Sequence, residues 1–210
     1  ENAIFHTDAV QAACWLDLRT IWPHVDLLTL SAHKFGGPKG VGIMVVRNGV
    51  HVDPLILGGG QERDRRSGTH NVAGIVGAAT ALEVTDATRA DEVARLRALR
   101  DQLVKELTSR IPNASATISP DISVAGTAHV CLEGMESESL LYLLDNENVC
   151  VSAASACASG AMEPSHVLAA MGVPRERMKG SLRFSLGHTT TADDISRAVE
   201  ATVRAAERLS

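Results

Sequence analysis

Short apolar segments alternate with amphipathic ones along this 210-residue chain, and this alternation is the strongest constraint on its fold. Residues 3–5, 27–30 and 41–46 are nearly continuous in apolar side chains, a pattern typical of strands buried on both faces of a sheet. Residues 9–18 form a helix-like or turn segment between the first two runs. The pattern therefore predicts an α/β fold with helices on both faces of a sheet.

The middle of the chain is helical in its periodicity and contains the best domain boundary. An apolar stripe begins at Val72, and a second stripe predicts a helix over residues 91–111, which Pro112 ends. We expect the two helices to be separate, with one domain over residues 1–88 and another over residues 89–210.

The last part of the sequence predicts a mixture of strands and helices. Thr191, with acidic residues in the following turn, is expected to cap the final helix. A helix after Pro164 is expected to close at Gly172. The remaining expected elements are strands at residues 124–132, 149–152 and 181–186, and a helix at residues 138–146.

Composition excludes several classes of function. The chain has 25 acidic and 20 basic residues, a balance that argues against a protein whose main role is to bind nucleic acid. No apolar stretch approaches the roughly 18 residues that span a bilayer. The four cysteines form no CxxC pair, and the histidines form no metal-like pattern, so we expect free thiols, no protein-bound metal and a cytoplasmic location. With only 3% aromatic residues, the core must consist mainly of Ala, Val, Leu and Ile.

The most informative segment is residues 31–42, which read SAHKFGGPKGVG. Lys34 stands at the end of a predicted strand, next to the hydroxyl of Ser31 and the imidazole of His33, and a glycine-rich turn follows. A lysine in this position can form a Schiff base if its surroundings lower its pKa, although an isolated lysine is usually an ordinary surface residue. The spacing of a phosphate-binding P-loop is absent.

This segment resembles the cofactor-lysine motif of the cysteine desulfurases, members of the class-V aminotransferase group of pyridoxal-phosphate enzymes. Four further motifs agree in order with the family. They are residues 6–11 (HTDAVQ), 66–69 (RSGT), 155–168 (SACASGAMEPSHVL) and 182–187 (LRFSLG). The resemblance implies the remainder of a fold-type-I large domain, with a mainly parallel sheet, over residues 1–88. It implies an α+β small domain over residues 89–210.

The resemblance implies that five residues, besides the Schiff-base residue Lys34, hold pyridoxal 5'-phosphate. Asp8 would pair with the pyridine nitrogen, and Gln11 would bond to the phenolic oxygen. The cofactor phosphate would be bound by Ser31 and His33, and by Thr69 of the neighbouring subunit, which implies a homodimer. The residues alone leave other interpretations open: Asp8 as a cap for the next helix, Gln11 facing solvent, and the charges around Thr69 as a solvated run.

The resemblance also implies the substrate residues. Arg183 lies in an otherwise apolar strand, where a carboxylate would offset its buried charge, and it corresponds to the residue that binds the substrate carboxylate. A structural salt bridge is the alternative. Cys157 corresponds to the nucleophile that takes sulfur from L-cysteine as a persulfide and leaves L-alanine. The other cysteines, Cys14, Cys131 and Cys150, are predicted to be buried small hydrophobes.

The resemblance covers the second half of the family's chain. We expect a longer fold whose upstream part supplies the phosphate-cradling turn, the ring-stacking histidine and a carboxylate-binding asparagine. Without that part, pyridoxal phosphate would lose much of its binding energy, so the activity of this piece alone is left open. The implied partners are L-cysteine, a second subunit and a sulfur acceptor, either an iron–sulfur scaffold or a thiolation enzyme. The alternatives are a selenocysteine lyase, another class-V enzyme, or a non-catalytic module for acceptor docking or dimerisation.

Overall fold

A three-stranded mixed sheet forms the first part of the chain in the computed structural model, which describes residues 3–153 and 165–210. Strand β1 (His6–Asp8) runs parallel to β2 (Leu27–Ser31), and β2 runs antiparallel to β3 (Gly42–Val46). The strand predicted at residues 3–5 begins later, at His6. Of the apolar residues before it, Phe5 bonds to the neighbouring segment: its carbonyl accepts the amides of Asp26 and Leu27 at 2.8 and 3.1 Å, and its amide donates to the Asp26 carboxylate at 2.9 Å.

The segment between β1 and β2 is a series of turns followed by short helices. Residues 10–16 form turns. After them come α1 (Leu18–Ile21) and a single 3₁₀ turn, Trp22–His24. Asp17 caps α1 by accepting the amide of Arg19 at 2.9 Å.

The core of this first part consists of small side chains, as the low aromatic content predicts. Phe35 is its one aromatic residue among the buried positions described. The full set of buried core residues is Ala9, Ala13, Val25, Leu28, Leu30, Ala32, Phe35 and Ala78. Small side chains let the turns after β1 and β2 lie close to the sheet, which fixes both turns at its edge.

Helix α2 (Val72–Arg110) is continuous over 39 residues, so the prediction of two separate helices is wrong. The charges near residues 88–89 stabilise the helix, because Arg89 pairs with Asp86 at 2.7 Å, three residues earlier. Arg89 is buried and also donates to the carbonyl of Ala13 at 2.8 Å. The stripe predicted from Val72 lies on an exposed part of the helix, where Val72 itself is 65% exposed.

The second sheet is antiparallel and has one apolar face. Strand β5 (Thr127–Leu132) lies between β4 (Ala114–Ala116) and β6 (Ser181–Ser185). Alternate residues of β5 and β6, such as Val130 and Leu182, are fully buried, as the two-residue period of a strand requires. The predicted strand at residues 149–152 is reduced to one bridge, between Ser152 and Arg183.

Four helices follow α2 in the described part of the chain. They are α3 (Ser137–Asp145), α4 (His166–Ala170), α5 (Arg175–Lys179) and α6 (Ala192–Leu209). The predicted cap of α6 is confirmed, because Thr191 and Asp194 exchange side-chain and backbone hydrogen bonds in a capping box. Gly172 adopts a left-handed φ of 75° just after α4, as expected for a residue that closes a helix.

The chain divides into two compact units, Glu1–Ala90 and Asp91–Ser210. We call them the N-terminal unit and the C-terminal unit. Their assignment as a cofactor-binding large domain and a small domain stays a prediction. Among the residues described, no helix is both long enough and apolar enough to cross a membrane.

Candidate active site

Asp8 lies at the carboxyl end of β1, at the same sheet edge where its parallel neighbour β2 ends. It is opposite Thr29 in the register, and its exposed side chain accepts the amide of Val10 at 3.0 Å through Oδ1. This bond starts the turn after β1, so Asp8 organises the local backbone. A carboxylate has capacity for further donors, so the same side chain can also accept a pyridinium N–H.

Gln11 lies in the turn that Asp8 begins, and its side chain is exposed. Gln11 stands three residues after Asp8, a spacing that would place both residues on one face of a helix, but this segment consists of turns. One of these turns is closed by the amide of Ala12, which bonds to the carbonyl of Ala9 at 2.9 Å. The role of Gln11 toward the cofactor stays a prediction.

His6 stands two residues before Asp8, a position that suggests support for the Asp8 carboxylate, but its hydrogen-bond partner among the described residues lies on the neighbouring strand. Its Nε2 lies 3.2 Å from the hydroxyl of Thr29 on the neighbouring strand. The parallel register brings β2 beside His6, and the threonine is therefore the partner within reach.

Ser31 and His33 form a polar pair where β2 ends. The Ser31 Oγ and the His33 Nδ1 are 2.8 Å apart. His33 is exposed, and Ser31 is half-buried. A hydroxyl and an imidazole that already hold each other in place are suited to donate hydrogen bonds to an anion such as a phosphate.

Lys34 is presented by a 3₁₀ turn (Ala32–Phe35) directly after β2. Ala32 and Phe35 are buried in the core of the N-terminal unit, whereas the Lys34 side chain is exposed. The turn ends at Gly36, whose φ of 86° favours glycine. A Cβ on Gly37 would lie 2.9 Å from the Cβ of Ala32, so the chain must fold back tightly here.

Two side chains from elsewhere in the N-terminal unit hold the lysine turn. The thiol of Cys14 donates to the carbonyl of Lys34 at 3.2 Å. The hydroxyl of Thr85 donates to the carbonyl of Phe35 at 3.2 Å. The last carbonyls of a helical turn lack partners within it, so these donors fix the backbone from which the lysine side chain projects.

Thr69 belongs to a loop that Arg66 organises. The Arg66 guanidinium donates to the carbonyls of Gly68 and Thr69 at 2.9 and 3.3 Å and to Glu62 at 3.1 Å. The Thr69 side chain is exposed. Arg63 is also exposed, as expected for a solvated charge. The sequence placed Arg66 in the RSGT motif but gave it no role of its own, because that role depends on carbonyls that only the folded loop brings together.

Arg183 is half-buried in β6, and its backbone is paired on both sides. Its amide and carbonyl bond to Ser152 at 2.7 and 3.1 Å, and His129 is opposite it on β5. The Nε of Arg183 is buried and has no hydrogen-bond partner among the described residues. The salt bridges found in residues 3–153 and 165–210 do not include Arg183. The role of Arg183 toward a substrate carboxylate stays a prediction.

The three cysteines described differ in how far their side chains are exposed. Cys131 is buried and Cys14 is half-buried, where burial raises the pKa of its thiol. Cys150 is exposed, so the prediction that it is a buried hydrophobe is wrong. Strand pairing stops short of Cys150, which leaves its side chain at the surface. The predicted nucleophile, Cys157, lies outside the described residues.

The sequence gives His129 no role of its own, since the histidines form no metal-like pattern. Its Nδ1 lies 2.6 Å from the hydroxyl of Thr117, and the same hydroxyl is 3.5 Å from the Sγ of Cys131. The sequence signal that could have indicated a role for His129 is its polar side chain within an otherwise apolar strand. Its importance follows from the register, which places it beside Arg183.

The residues of the N-terminal unit fit pyridoxal 5'-phosphate by their chemistry. A carboxylate at one strand end suits a pyridinium nitrogen, and the hydroxyl–imidazole pair at the next strand end suits a phosphate. Lys34, in the turn that follows, supplies an exposed amine on a fixed backbone. Parallel α/β sheets place ligands at this edge, outside the carboxyl ends of their strands.

The sequence model of the aminotransferase class-V family matches residues 1–198, and the chain belongs to this family. Members of the family use pyridoxal 5'-phosphate as cofactor. Within it, the chain is similar to proteins named cysteine desulfurase. It is 47% identical over 199 residues to one from Cereibacter sphaeroides, and these residues cover 95% of this chain and 51% of that protein.

Two further similarities agree. A cysteine desulfurase IscS from Methanosarcina thermophila is 45% identical over 210 residues, which cover 100% of this chain and 52% of that protein. A solved structure described as a NifS-like protein superposes with a TM-score of 0.84 at 36% identity, over 96% of this chain and 52% of that one. The expected fold type is confirmed. The chain spans about half the length of these relatives.

Proposed function

We propose that this chain is the part of a pyridoxal-phosphate-dependent cysteine desulfurase that carries the cofactor lysine, the substrate arginine and the sulfur-accepting cysteine. The reaction converts L-cysteine to L-alanine and leaves the sulfur on Cys157 as a persulfide. The observation that carries this proposal is the lysine turn. It projects Lys34 from a fixed backbone at the sheet edge where Asp8 also stands, in a chain whose relatives are named cysteine desulfurases.

When bound, the cofactor supplies an electron sink that labilises bonds of the substrate amino acid. Asp8 would hold the pyridine nitrogen in its protonated form, and Gln11 would bond to the phenolic oxygen of the ring. Ser31 and His33 bind the phosphate. Thr69 binds the phosphate of a second subunit in a homodimer. Thr69 lies in an exposed loop that Arg66 holds, and an exposed side chain is accessible to a second subunit.

Arg183 orients the substrate. Its guanidinium binds the α-carboxylate, because the buried Nε otherwise lacks an acceptor among the described residues. Lys34 would also act as the base that moves protons at the substrate.

Cys157 receives the sulfur. Its thiolate attacks the sulfur of the bound cysteine, an S–S bond forms, and the C–S bond breaks. The electron pair of that bond goes to the substrate β-carbon, which gains a proton and becomes the methyl group of alanine. The substrate sulfur is thereby oxidised to the persulfide level and the carbon is reduced, so no external oxidant is needed.

We further propose that the protein acts in the cytoplasm and passes its sulfur to an acceptor protein. An iron–sulfur scaffold or a thiolation enzyme fits this role, since a persulfide is transferred to another thiol by direct attack. Direct nucleic-acid or membrane partners are not part of the proposal, in line with the acidic composition.

Mass spectrometry of the full-length protein tests the proposal. After incubation with pyridoxal phosphate and L-cysteine, the peptide that contains Cys157 should gain the mass of one sulfur atom, and one alanine should form per persulfide. Cys157→Ser should abolish the sulfur adduct, whereas Cys150→Ser, which removes an exposed thiol nearby in sequence, should leave it intact. A wild-type protein that forms no persulfide on Cys157 would refute the desulfurase assignment.

A further inference from the structure

One face of the second sheet carries a row of polar side chains with Arg183 inside it. His129 is directly opposite Arg183 in the antiparallel register, and Ser152 pairs with Arg183 on the other side. The amide of Thr117 bonds to the carbonyl of His129 at 3.1 Å. Opposed residues of neighbouring strands project from the same face. We call these four residues the Arg183 row.

The His129 ring has a fixed orientation in this row. Its Nδ1 lies 2.6 Å from the hydroxyl of Thr117, and Cys131 lies 3.5 Å from the same hydroxyl. A ring held at one nitrogen can present only one edge to the neighbouring strand. The shape of the surface beside Arg183 is therefore set by Thr117 as well as by His129.

The ring beside Arg183 is also uncharged at neutral pH. Burial lowers the pKa of His129, and the positive charge of Arg183 lowers it further. A second cation, Arg177 of α5, donates to the hydroxyl of Ser115 on β4. A neutral imidazole lies beside a guanidinium without repelling it, whereas an imidazolium would oppose it.

Arg183 itself is constrained at its backbone but incompletely bonded at its side chain. Ser152 fixes its amide and carbonyl, while its buried Nε has no partner among the described residues. A long side chain in this position loses considerable conformational freedom when it binds a ligand. A rigid neighbour reduces that cost by restricting the guanidinium before binding.

We propose that His129, locked by Thr117, is a positioning residue that holds the Arg183 guanidinium ready for the substrate carboxylate. The proposal rests on the proposed function, because it takes Arg183 as the carboxylate-binding residue. His129 acts through Arg183 and touches neither substrate nor cofactor. Its removal should therefore weaken carboxylate binding more than it slows the chemical steps.

The test compares variants of the full-length, cofactor-loaded protein. For His129→Ala we expect the KM for L-cysteine to rise roughly tenfold, which corresponds to the cost of one newly immobilised side chain, with kcat changed less than about threefold. His129→Gln, neutral and polar, should restore most of the loss. Thr127→Ala, on the same strand and face but one pair away, is the matched control and should leave KM unchanged.

A second measurement does not depend on turnover. Phenylglyoxal modifies arginine, and mass spectrometry of the peptide that contains Arg183 gives the rate at this residue. L-Alanine, the proposed product, should protect Arg183 in the wild-type protein and protect it about tenfold less effectively in His129→Ala. If His129→Ala does not fold, Thr117→Val keeps the ring but removes its anchor and should show the same loss to a smaller degree.

The outcomes distinguish the role of Arg183 in the proposed function from the positioning role of His129. If Arg183→Lys leaves the KM for L-cysteine and the protection by alanine unchanged, the role of Arg183 in the proposed function is wrong. If Arg183→Lys weakens both, but His129→Ala and Thr117→Val stay within about twofold of the wild type, the positioning role of His129 alone is overturned.

Discussion

Arg100 is the largest fully buried side chain of the C-terminal unit, and its removal provides a quantitative test of the fold. Only 1% of the residue is exposed. Its Nη1 donates to the carbonyls of Ser123 and Val124, both at 3.0 Å, and its Nη2 donates to the carbonyl of Pro120 at 3.0 Å. Asp101 balances the charge at 2.7 Å. One guanidinium therefore satisfies several carbonyls of the loop that follows β4.

The expected cost of Arg100→Ala follows from these contacts. Each hydrogen bond to a carbonyl contributes about 1 kcal/mol net, so the loss of these bonds costs about 3 kcal/mol. The ion pair with Asp101 adds less than about 1 kcal/mol, because that carboxylate is 44% exposed. We therefore expect a loss of about 3–4 kcal/mol in the free energy of unfolding, within the range for breaking a buried charge network.

Urea unfolding followed by circular dichroism measures this loss. With a slope of about 2.5 kcal/mol per molar urea for a chain of this size, the midpoint should fall by roughly 1.3 M. The control is Arg97→Ala, the same change on an exposed position of the same helix, which should stay within about 0.5 kcal/mol of the wild type. If Arg100→Ala costs less than about 1 kcal/mol, or no more than Arg97→Ala, the reasoning from buried carbonyls is refuted.

Three further predictions follow from other contacts. Thr191→Ala removes the cap of α6 and should lower the free energy of unfolding by about 1 kcal/mol in a denaturant titration, and Thr191→Ser should restore most of it. The pKa of His129 is lower in the folded chain than in the unfolded chain, so the unfolded chain takes up this proton first as the pH falls. His129 therefore destabilises the folded protein below about pH 6.5. The stability of the wild type relative to His129→Gln should therefore decrease between pH 7.5 and 5, and a constant difference would contradict the assigned pKa direction. Iodoacetamide should alkylate the exposed Cys150 before Cys14, whose thiol has a raised pKa, as read by peptide mass spectrometry; the reverse order would contradict the burial of Cys14.

The sequence predicted most of the local elements correctly because their signals are local. The strand before Lys34, the glycine-rich turn after it and the capping box at Thr191 each depend on residues within a few positions of one another. The long helix shows the limit of such signals. The charges at Asp86 and Arg89 suit a helix interior as well as a boundary, and Arg89 is fixed by the carbonyl of Ala13, far away in the sequence.

The candidate site divides in the same way. Asp8, Ser31, His33 and Lys34 could be named from the sequence, because the motifs that contain them resemble those of a known family. The donors that hold the Lys34 turn could not, because Cys14 and Thr85 approach it from separate elements. The exposure of Cys150 depends in turn on where strand pairing stops.

The sequence by itself therefore determined the family, most of the elements and the candidates for the chemically active residues. Only the tertiary structure decided which side chains support them. His129 became a neighbour of Arg183 through the register of β5 and β6, and Arg66 gained its partners when its loop closed on itself. The physical reason is that a strand register or a loop closure joins residues distant in sequence, and the free energy of these contacts is not encoded in any local pattern.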